Sequence, residues 1–242
     1  MKRVYVPHAH LGACRLEQSA HHYLAHVLRC HPGEYVEVFD GGGKSFLARI
    51  EEFSSREIRL TLLEERVSAQ DASVCLMQAL LRQPARFEWL LQKATELGVA
   101  EFWPLLTERT QPHSAASEKR CARWQKIIEE AARQSERNHV PRLQACLPLG
   151  EALKQQPEGR RLLLLNESET QIPLREVLAP GEFRGKMWTV LIGPEGGWAP
   201  GEVALAKQQG AISVGLGPCI LKSETAGLAV LSILQFVAGQ LG

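Results

Sequence analysis

Two short stretches of this chain gather glycine beside groups that can move protons or hold charge. Val190-Leu-Ile-Gly-Pro-Glu-Gly-Gly197 ends an apolar run in glycines around Glu195. Leu216-Gly-Pro-Cys-Ile-Leu-Lys-Ser-Glu-Thr-Ala226 does the same ahead of Lys222, Glu224 and Thr225. A glycine after a buried strand lets a ligand reach backbone N–H and C=O groups, because no Cβ stands in the way. Two such loops point to one pocket at the carboxyl ends of neighbouring strands. Carboxylates there could take or orient a proton, and cations such as Lys222 and Arg109 could meet a developing anion or a phosphate.

Several familiar chemistries fail at named positions. A dinucleotide fingerprint begins correctly at Gly215-Leu-Gly217, but Ile220 stands where the third glycine belongs. No Gly-x-Ser-x-Gly elbow supplies an acyl-transfer nucleophile. Asp40-Gly-Gly-Gly-Lys-Ser45 imitates a phosphate-binding loop, yet Val38 occupies the first glycine's place and a strand-like run follows. That segment reads as a β-hairpin turn. What survives is a nucleoside-sized ligand held by backbone groups and apolar walls such as Ile192, Leu216 and Ile220.

The elements that must position these loops follow from periodicity. Residues 1–72 read as a small, mostly β module, with strands at Val4–Val6, Glu34–Phe39, Ser45–Ile50 and Glu57–Leu63 and a helix over Ser19–Leu28. It holds His8, His10, His21, His22, His26 and His31, which lack accompanying carboxylates and read as solvated or RNA-facing, not as a metal site. Residues 73–242 alternate strands and helices, the grammar of a mostly parallel α/β sheet. The strands fall at Val74–Leu81, Glu101–Leu106, Arg161–Leu165, Thr189–Ile192 and Ser213–Leu216.

A helix opens at Pro84, presents Phe87, Leu90, Leu91, Ala94 and Leu97 on one face, keeps Lys93 and Glu96 off it, and stops at Gly98. A polar, mobile loop is expected over Thr107–Ala116. A second amphipathic helix spans Ser117–Arg137, with Cys121, Trp124, Ile128, Ala131 and Ser135 inward. Arg123, Glu130, Gln134 and Arg137 share its polar stripe, where a modest local excess of Lys and Arg could meet phosphates. The last helix, from Ser223, is apolar almost all round and is expected to be buried on all sides, which predicts a symmetric dimer.

Composition sets the outer limits. With 242 residues, 45% hydrophobic and 23% charged, the chain suits one large or two smaller globular domains. A net charge of +1 shows no bulk attraction to nucleic acid, so an RNA surface must come from local clustering. Cys14, Cys30, Cys75, Cys121, Cys146 and Cys219 show no Cys-x-x-Cys spacing and read as reduced thiols. The N-terminus lacks the apolar stretch of a signal peptide, and the apolar run from Ala226 to Ala238 falls short of the about 20 residues a membrane span needs. A cytoplasmic protein without membrane attachment is expected.

Several ordered motifs together carry a resemblance. Gly193-Pro-Glu-Gly-Gly197 and Ser223-Glu-Thr-Ala226 are joined by Gln92-Lys-Ala-Thr-Glu-Leu-Gly-Val99, Glu108-Arg109 and Arg123-Trp124. Glu130-Ala-Ala-Arg-Gln-Ser-Glu-Arg137, Pro141, Val27-Leu-Arg29 and Asp40-Gly41 complete the set. The chain resembles the SPOUT class of S-adenosylmethionine-dependent RNA methyltransferases and, within it, the RsmE family, which methylates N3 of a uridine in 16S ribosomal RNA.

The resemblance implies an N-terminal PUA-like RNA-binding barrel and a C-terminal sheet threaded into a trefoil knot, a topology that nothing in the spacing would suggest. It implies a methyl donor held by Leu165, Ile192, Gly193, Gly197, Leu216, Gly217, Ile220 and Leu221, and no metal. Arg109, Glu195, Lys222, Glu224 and Thr225 are the implied catalytic set, and Arg29, Lys93, Arg123 and Arg137 the implied RNA contacts. The implied partners are the small ribosomal subunit and a second copy of the chain.

Three places depart from the family pattern. Lys222-Ser223 stands for the usual Arg-Thr, which loses the planar guanidinium fork. Trp198 replaces a Phe, and Arg82-Gln83-Pro84 differs from the commoner Lys-Gly-Asp type. The residues by themselves leave open ribose 2′-O methylation and a non-catalytic RNA-binding or assembly role.

Overall fold

The structure, a computed structural model, describes residues 1–54, 57–68, 74–110, 117–178 and 187–241. The chain forms two compact units, Met1–Gln70 with Glu129–Val140, and Asp71–Ile128 with Pro141–Gly242. The expected boundary near residue 72 and the later part of the polar loop, 111–116, lie outside the described residues. No helix among the described residues is long and apolar enough to cross a membrane.

In the first unit, β1 (Arg3–Tyr5), β2 (Gly12–Glu17), β3 (Tyr35–Phe39), β4 (Lys44–Phe53) and β5 (Glu57–Val67) form one sheet in the order β1-β3-β4-β5-β2. All its pairs are antiparallel except β1 with β3. Alternation explains the core. Val36 and Val38, Phe46, Ala48 and Ile50, and Ile58, Leu60 and Leu62 point the same way and are buried together. The turn after β3 is the expected hairpin. Asp40 Oδ1 accepts from the backbone N–H of Gly42 at 2.7 Å and of Lys44 at 3.0 Å.

Periodicity missed β2, which lies at the sheet edge, where Leu16 is its one deeply buried apolar side chain among the described residues. The expected Ser19–Leu28 helix is instead a short α1 (Gln18–His22) followed by a π-helical turn at Tyr23–Val27. The segment Glu129–Val140 also belongs to this unit. Arg133 stacks over the Tyr23 ring at 4.3 Å and hydrogen-bonds its hydroxyl, and Arg3 hydrogen-bonds Asn138.

The second unit is a parallel sheet in the order β12-β10-β11-β6-β7-β8, with β9 also paired to β7. Its strands are β6 (Val74–Ala79), β7 (Glu101–Leu106), β8 (Arg142–Leu143), β9 (Leu147–Pro148), β10 (Arg161–Leu165), β11 (Trp188–Ile192) and β12 (Ile212–Val214). Every residue of β6 and β11 is buried, as central strands covered on both faces require. The helices are α2 (Pro84–Glu96), α3 (Glu118–Gln134, shared with the first unit), α4 (Leu149–Lys154), α5 (Leu174–Val177), α6 (Pro200–Gln208) and α7 (Ser223–Val237).

α2 buries Phe87, Leu90, Leu91 and Ala94, as its periodicity predicts, while Leu97 lies just past its end and is only half-buried. α3 ends at Gln134, before the expected Arg137, because Glu136 adopts φ 58 and the Arg137 N–H turns back to Ala132 O. Trp124, Ile128 and Ala131 are buried there, whereas Cys121 and Ser135 are only half-buried.

α7 departs from burial on all sides. Gly227, Val230, Leu231 and Leu234 face the core, but Ile233, Phe236 and Val237 are exposed at 41%, 68% and 37%. A single chain covers one face of this helix only. Gln235 ties α7 to the end of α2, donating from Nε2 to Leu97 O at 3.0 Å and Gly98 O at 2.7 Å.

Gly98 has φ 89, and a Cβ there would stand 2.2 Å from Gln235 Nε2. A Gly98→Ala variant is therefore expected to lose roughly 1–3 kcal/mol of stability, through left-handed strain and displacement of Gln235. Urea unfolding of the two proteins measures the difference.

Candidate active site

The carboxyl ends of β10, β11 and β12 lie side by side, so the loops that follow them line one cleft of about 290 Å³. Leu165, Ile192, Gly193, Gly197, Leu216, Gly217, Ile220 and Leu221 all line it, together with Glu195 and Lys222. The loop after β11 is shaped by Trp198, whose indole N–H donates to Leu165 O at 2.9 Å. A Cβ on Gly193 would press on the Trp198 ring at 3.2 Å. The loop after β12 is laced to the chain after β10, with Gly215 N–H donating to Ile172 O at 3.1 Å and Leu174 N–H to Gly215 O at 3.3 Å.

A buried side-chain relay joins the two glycine loops. Gln78, on β6, donates from Nε2 to Ser223 Oγ at 2.8 Å, and Ser223 Oγ donates to Gly193 O at 2.5 Å. Gln78 was legible as a polar residue inside an apolar strand, but its role was not.

Glu195 is exposed at the cleft, and its carboxylate accepts the Arg82 backbone N–H at 3.0 and 3.3 Å. Lys222 is exposed as the residue capping the start of α7. The other three implied catalytic residues are not among those lining the cleft. Glu224 is buried, 3.6 Å from Arg86 Nη1, with Oε2 lacking a hydrogen-bond partner. Thr225 is exposed on the first turn of α7.

Arg109 meets the loop after β11, donating from Nη1 to Gly196 O at 2.7 Å. Glu202 sets up that contact. Its carboxylate accepts from Ala199 N–H at 3.0 Å and Glu108 N–H at 2.9 Å, which holds the residues after β7 beside the start of α6.

The segment after β10 adds Asn166, Glu167 and Glu169 to the lining, none of which sequence reasoning selected. Their signal was an acidic run directly after a strand. Donation from the Gln171 N–H holds the Glu169 carboxyl below its ordinary range.

Of the expected RNA contacts, Arg29 and Arg137 belong to the first unit, and Lys93 and Arg123 to the second. Arg29 is exposed with φ 50. Lys93 pairs with Glu96 at 2.8 Å, and Arg123 forms a two-bond fork with Glu88 at 2.7 and 2.8 Å. Arg137 is half-buried. Among the described residues, no three His, Cys, Asp or Glu side chains come together as a metal site.

Comparison with known proteins matches this arrangement. Residues 68–235 fit the model of an RNA methyltransferase domain, and residues 16–63 that of an RNA methyltransferase PUA domain. The fold and its cleft therefore define a SPOUT-class RNA methyltransferase with a PUA-like module.

The ribosomal RNA small subunit methyltransferase E of a Synechocystis strain is 33% identical over 213 residues, covering 87% of this chain and 69% of that protein. Its counterpart from Mycobacterium bovis is 31% identical, covering 86% and 80%. The crystal structure of the Neisseria gonorrhoeae protein of that name, bound to S-adenosyl methionine, superposes with a TM-score of 0.88, 30% identity and 98% coverage of both chains. The chain belongs to the ribosomal RNA small subunit methyltransferase E family.

Ser223→Ala removes the hydroxyl that both loops use, leaving Gln78 Nε2 and Gly193 O short of a partner. A loss of about 1–3 kcal/mol is expected, largely restored by Ser223→Thr, and denaturant midpoints read it out.

Proposed function

We propose that this protein methylates N3 of a uridine in the 16S RNA of the small ribosomal subunit, in the cytoplasm, with S-adenosylmethionine as donor and as a homodimer. The observation that carries the reading is the single cleft shared by both glycine loops. The cleft fits such a donor on its own chemistry. No backbone hydrogen bond to another described residue engages the N–H groups of Leu216, Gly217, Cys219, Ile220 or Leu221, so donors remain for a nucleoside. Glu167, Glu169 and Glu195 against Lys222 give the lining a negative balance that suits a cation.

Leu165, Ile192, Gly193, Gly197, Leu216, Gly217, Ile220 and Leu221 would hold the donor. Bound there, it supplies an activated methyl group on a sulfonium. The protein's own contribution is orientation and proton handling. Glu195 keeps acceptor capacity beside its bond from Arg82 and takes or relays the N3 proton. Lys222 faces the negative charge that this leaves on the uracil oxygens. Glu224, with Arg86, positions the start of α7, Thr225 continues that turn, and Arg109 fixes the loop at Gly196.

The PUA-like module and Arg29, Lys93, Arg123 and Arg137 contribute RNA contacts. These help to offset the cost of turning the target base out of its stack, about a few kcal/mol. Division of the chain into 1–72 and 73–242 and the trefoil knot belong to the same reading. The lacing of Ile172 and Leu174 to Gly215 supports the knot.

Small subunits or 16S RNA from a strain lacking the protein, incubated with labelled donor and digested to nucleosides, are expected to yield 3-methyluridine. Methyl on ribose, or none incorporated, overturns the proposal. Glu195→Gln and Lys222→Ala should each lower single-turnover methylation by about 10²-fold, with donor affinity changed far less.

The exposed side of α7, with Trp89 of α2 exposed at 46%, supplies an apolar surface for the second subunit. Light scattering is expected to give a dimer for the native protein and a monomer for Phe236→Glu. A native monomer rules out the dimer.

A further inference from the structure

The three carboxylates that line the cleft differ in what the protein gives them. Glu169 accepts the Gln171 N–H at 3.0 Å and has Lys207 Nζ at 4.0 Å. Glu195 accepts the Arg82 N–H. Glu167 is exposed to the cleft and, among the described residues, has neither a hydrogen bond nor an ion pair.

Glu167 lies close to the loop after β11. Its Oε1 lies over Gly197, 2.8 Å from the point where a Cβ would stand, and Gly197 holds φ 69. Gly197, without a side chain, leaves room for this carboxylate. Arg109 Nη1 stands 3.9 Å from the same point and donates one of its two hydrogens to Gly196 O, so its charge lies near Glu167 without a hydrogen bond or ion pair to it.

A carboxylate with no hydrogen-bond or ion-pair partner among the described residues, beside apolar walls such as Leu165 and Ile192, favours positive charge. Under the donor reading given above, the cleft must take S-adenosylmethionine and release S-adenosylhomocysteine. The two share their adenosine and amino-acid parts and differ by one methyl group and one positive charge. Shape discriminates poorly on a single methyl group, whereas a fixed charge acts directly on the difference. We infer that Glu167 is a specificity-determining residue, which favours the sulfonium donor over the thioether product in their competition for the cleft.

Calorimetric titration of the full chain with each of the two compounds tests this. Glu167→Gln should bind S-adenosylmethionine about fivefold more weakly, while S-adenosylhomocysteine affinity stays within about twofold, the scale of a solvent-accessible charge pair. Glu167→Asp should keep most of the preference. Glu169→Gln, whose carboxylate is already met by Gln171, should shift the ratio less.

Added salt should weaken donor binding by the native protein more than by Glu167→Gln. A parallel loss of affinity for both compounds, or no loss for either, overturns the inference. If the native protein binds neither compound, the donor reading itself fails and this inference falls with it, an outcome distinct from the other two. Thermal melting of each variant establishes that the comparison is between folded proteins.

Discussion

Ser223 Oγ stands between Gln78 Nε2 and Gly193 O, and those two hydrogen bonds make two separate loops into one cleft. Each donor finds an acceptor, while the buried Gln78 Oε1 has no hydrogen-bond partner among the described residues. Gln78 has two amide hydrogens, directed to Ser223 Oγ and to Ala79 O, while the serine has one, directed to Gly193 O. Both Ser223 and Gln78 are buried, where water cannot substitute for a lost partner. The glycine loop after β11 is therefore bonded directly to the start of α7, and Ser223 ties both to a central strand.

Strand direction supplies the second constraint. In a parallel sheet all carboxyl ends point one way, so the loops after β10, β11 and β12 necessarily emerge together. The order β12-β10-β11 brings the segment after β10 between the two glycine loops. That explains why Glu167 and Glu169 enter a cleft whose other walls come from much later in the chain. Polar backbone, apolar side chains and an acidic balance then coincide in a concave site of nucleoside size.

α7 connects this site to the outside of the molecule. Its first turn carries Ser223 and Glu224, its middle packs Gly227 against Ile192 and Leu90, and Gln235 near its end caps α2. The opposite face is left apolar and exposed. One helix thus carries loop registration, core packing and a surface that water covers poorly, which is why its composition is so nearly uniform.

Much of this was determined by sequence alone, and the reason is local. Alternation in Phe46, Ala48 and Ile50, the three-to-four spacing of Phe87, Leu90, Leu91 and Ala94, and glycine placement at residues 193, 197 and 217 each follow from short-range sterics and burial. So most of the strands, α2 and the cleft-lining residues were legible. What tertiary structure decided depends on partners distant in the chain. The edge strand β2 carries little apolar signal because it has one strand neighbour, and α3 stops at a left-handed Glu136 that no glycine announces. Gln78 meets Ser223 across 145 residues, and Glu224 turns to Arg86, away from the cleft its neighbour Lys222 lines. Residue types and spacing state which groups are available. Only the packed sheet decides which of them share one volume, because that depends on strand order, which no local interaction encodes.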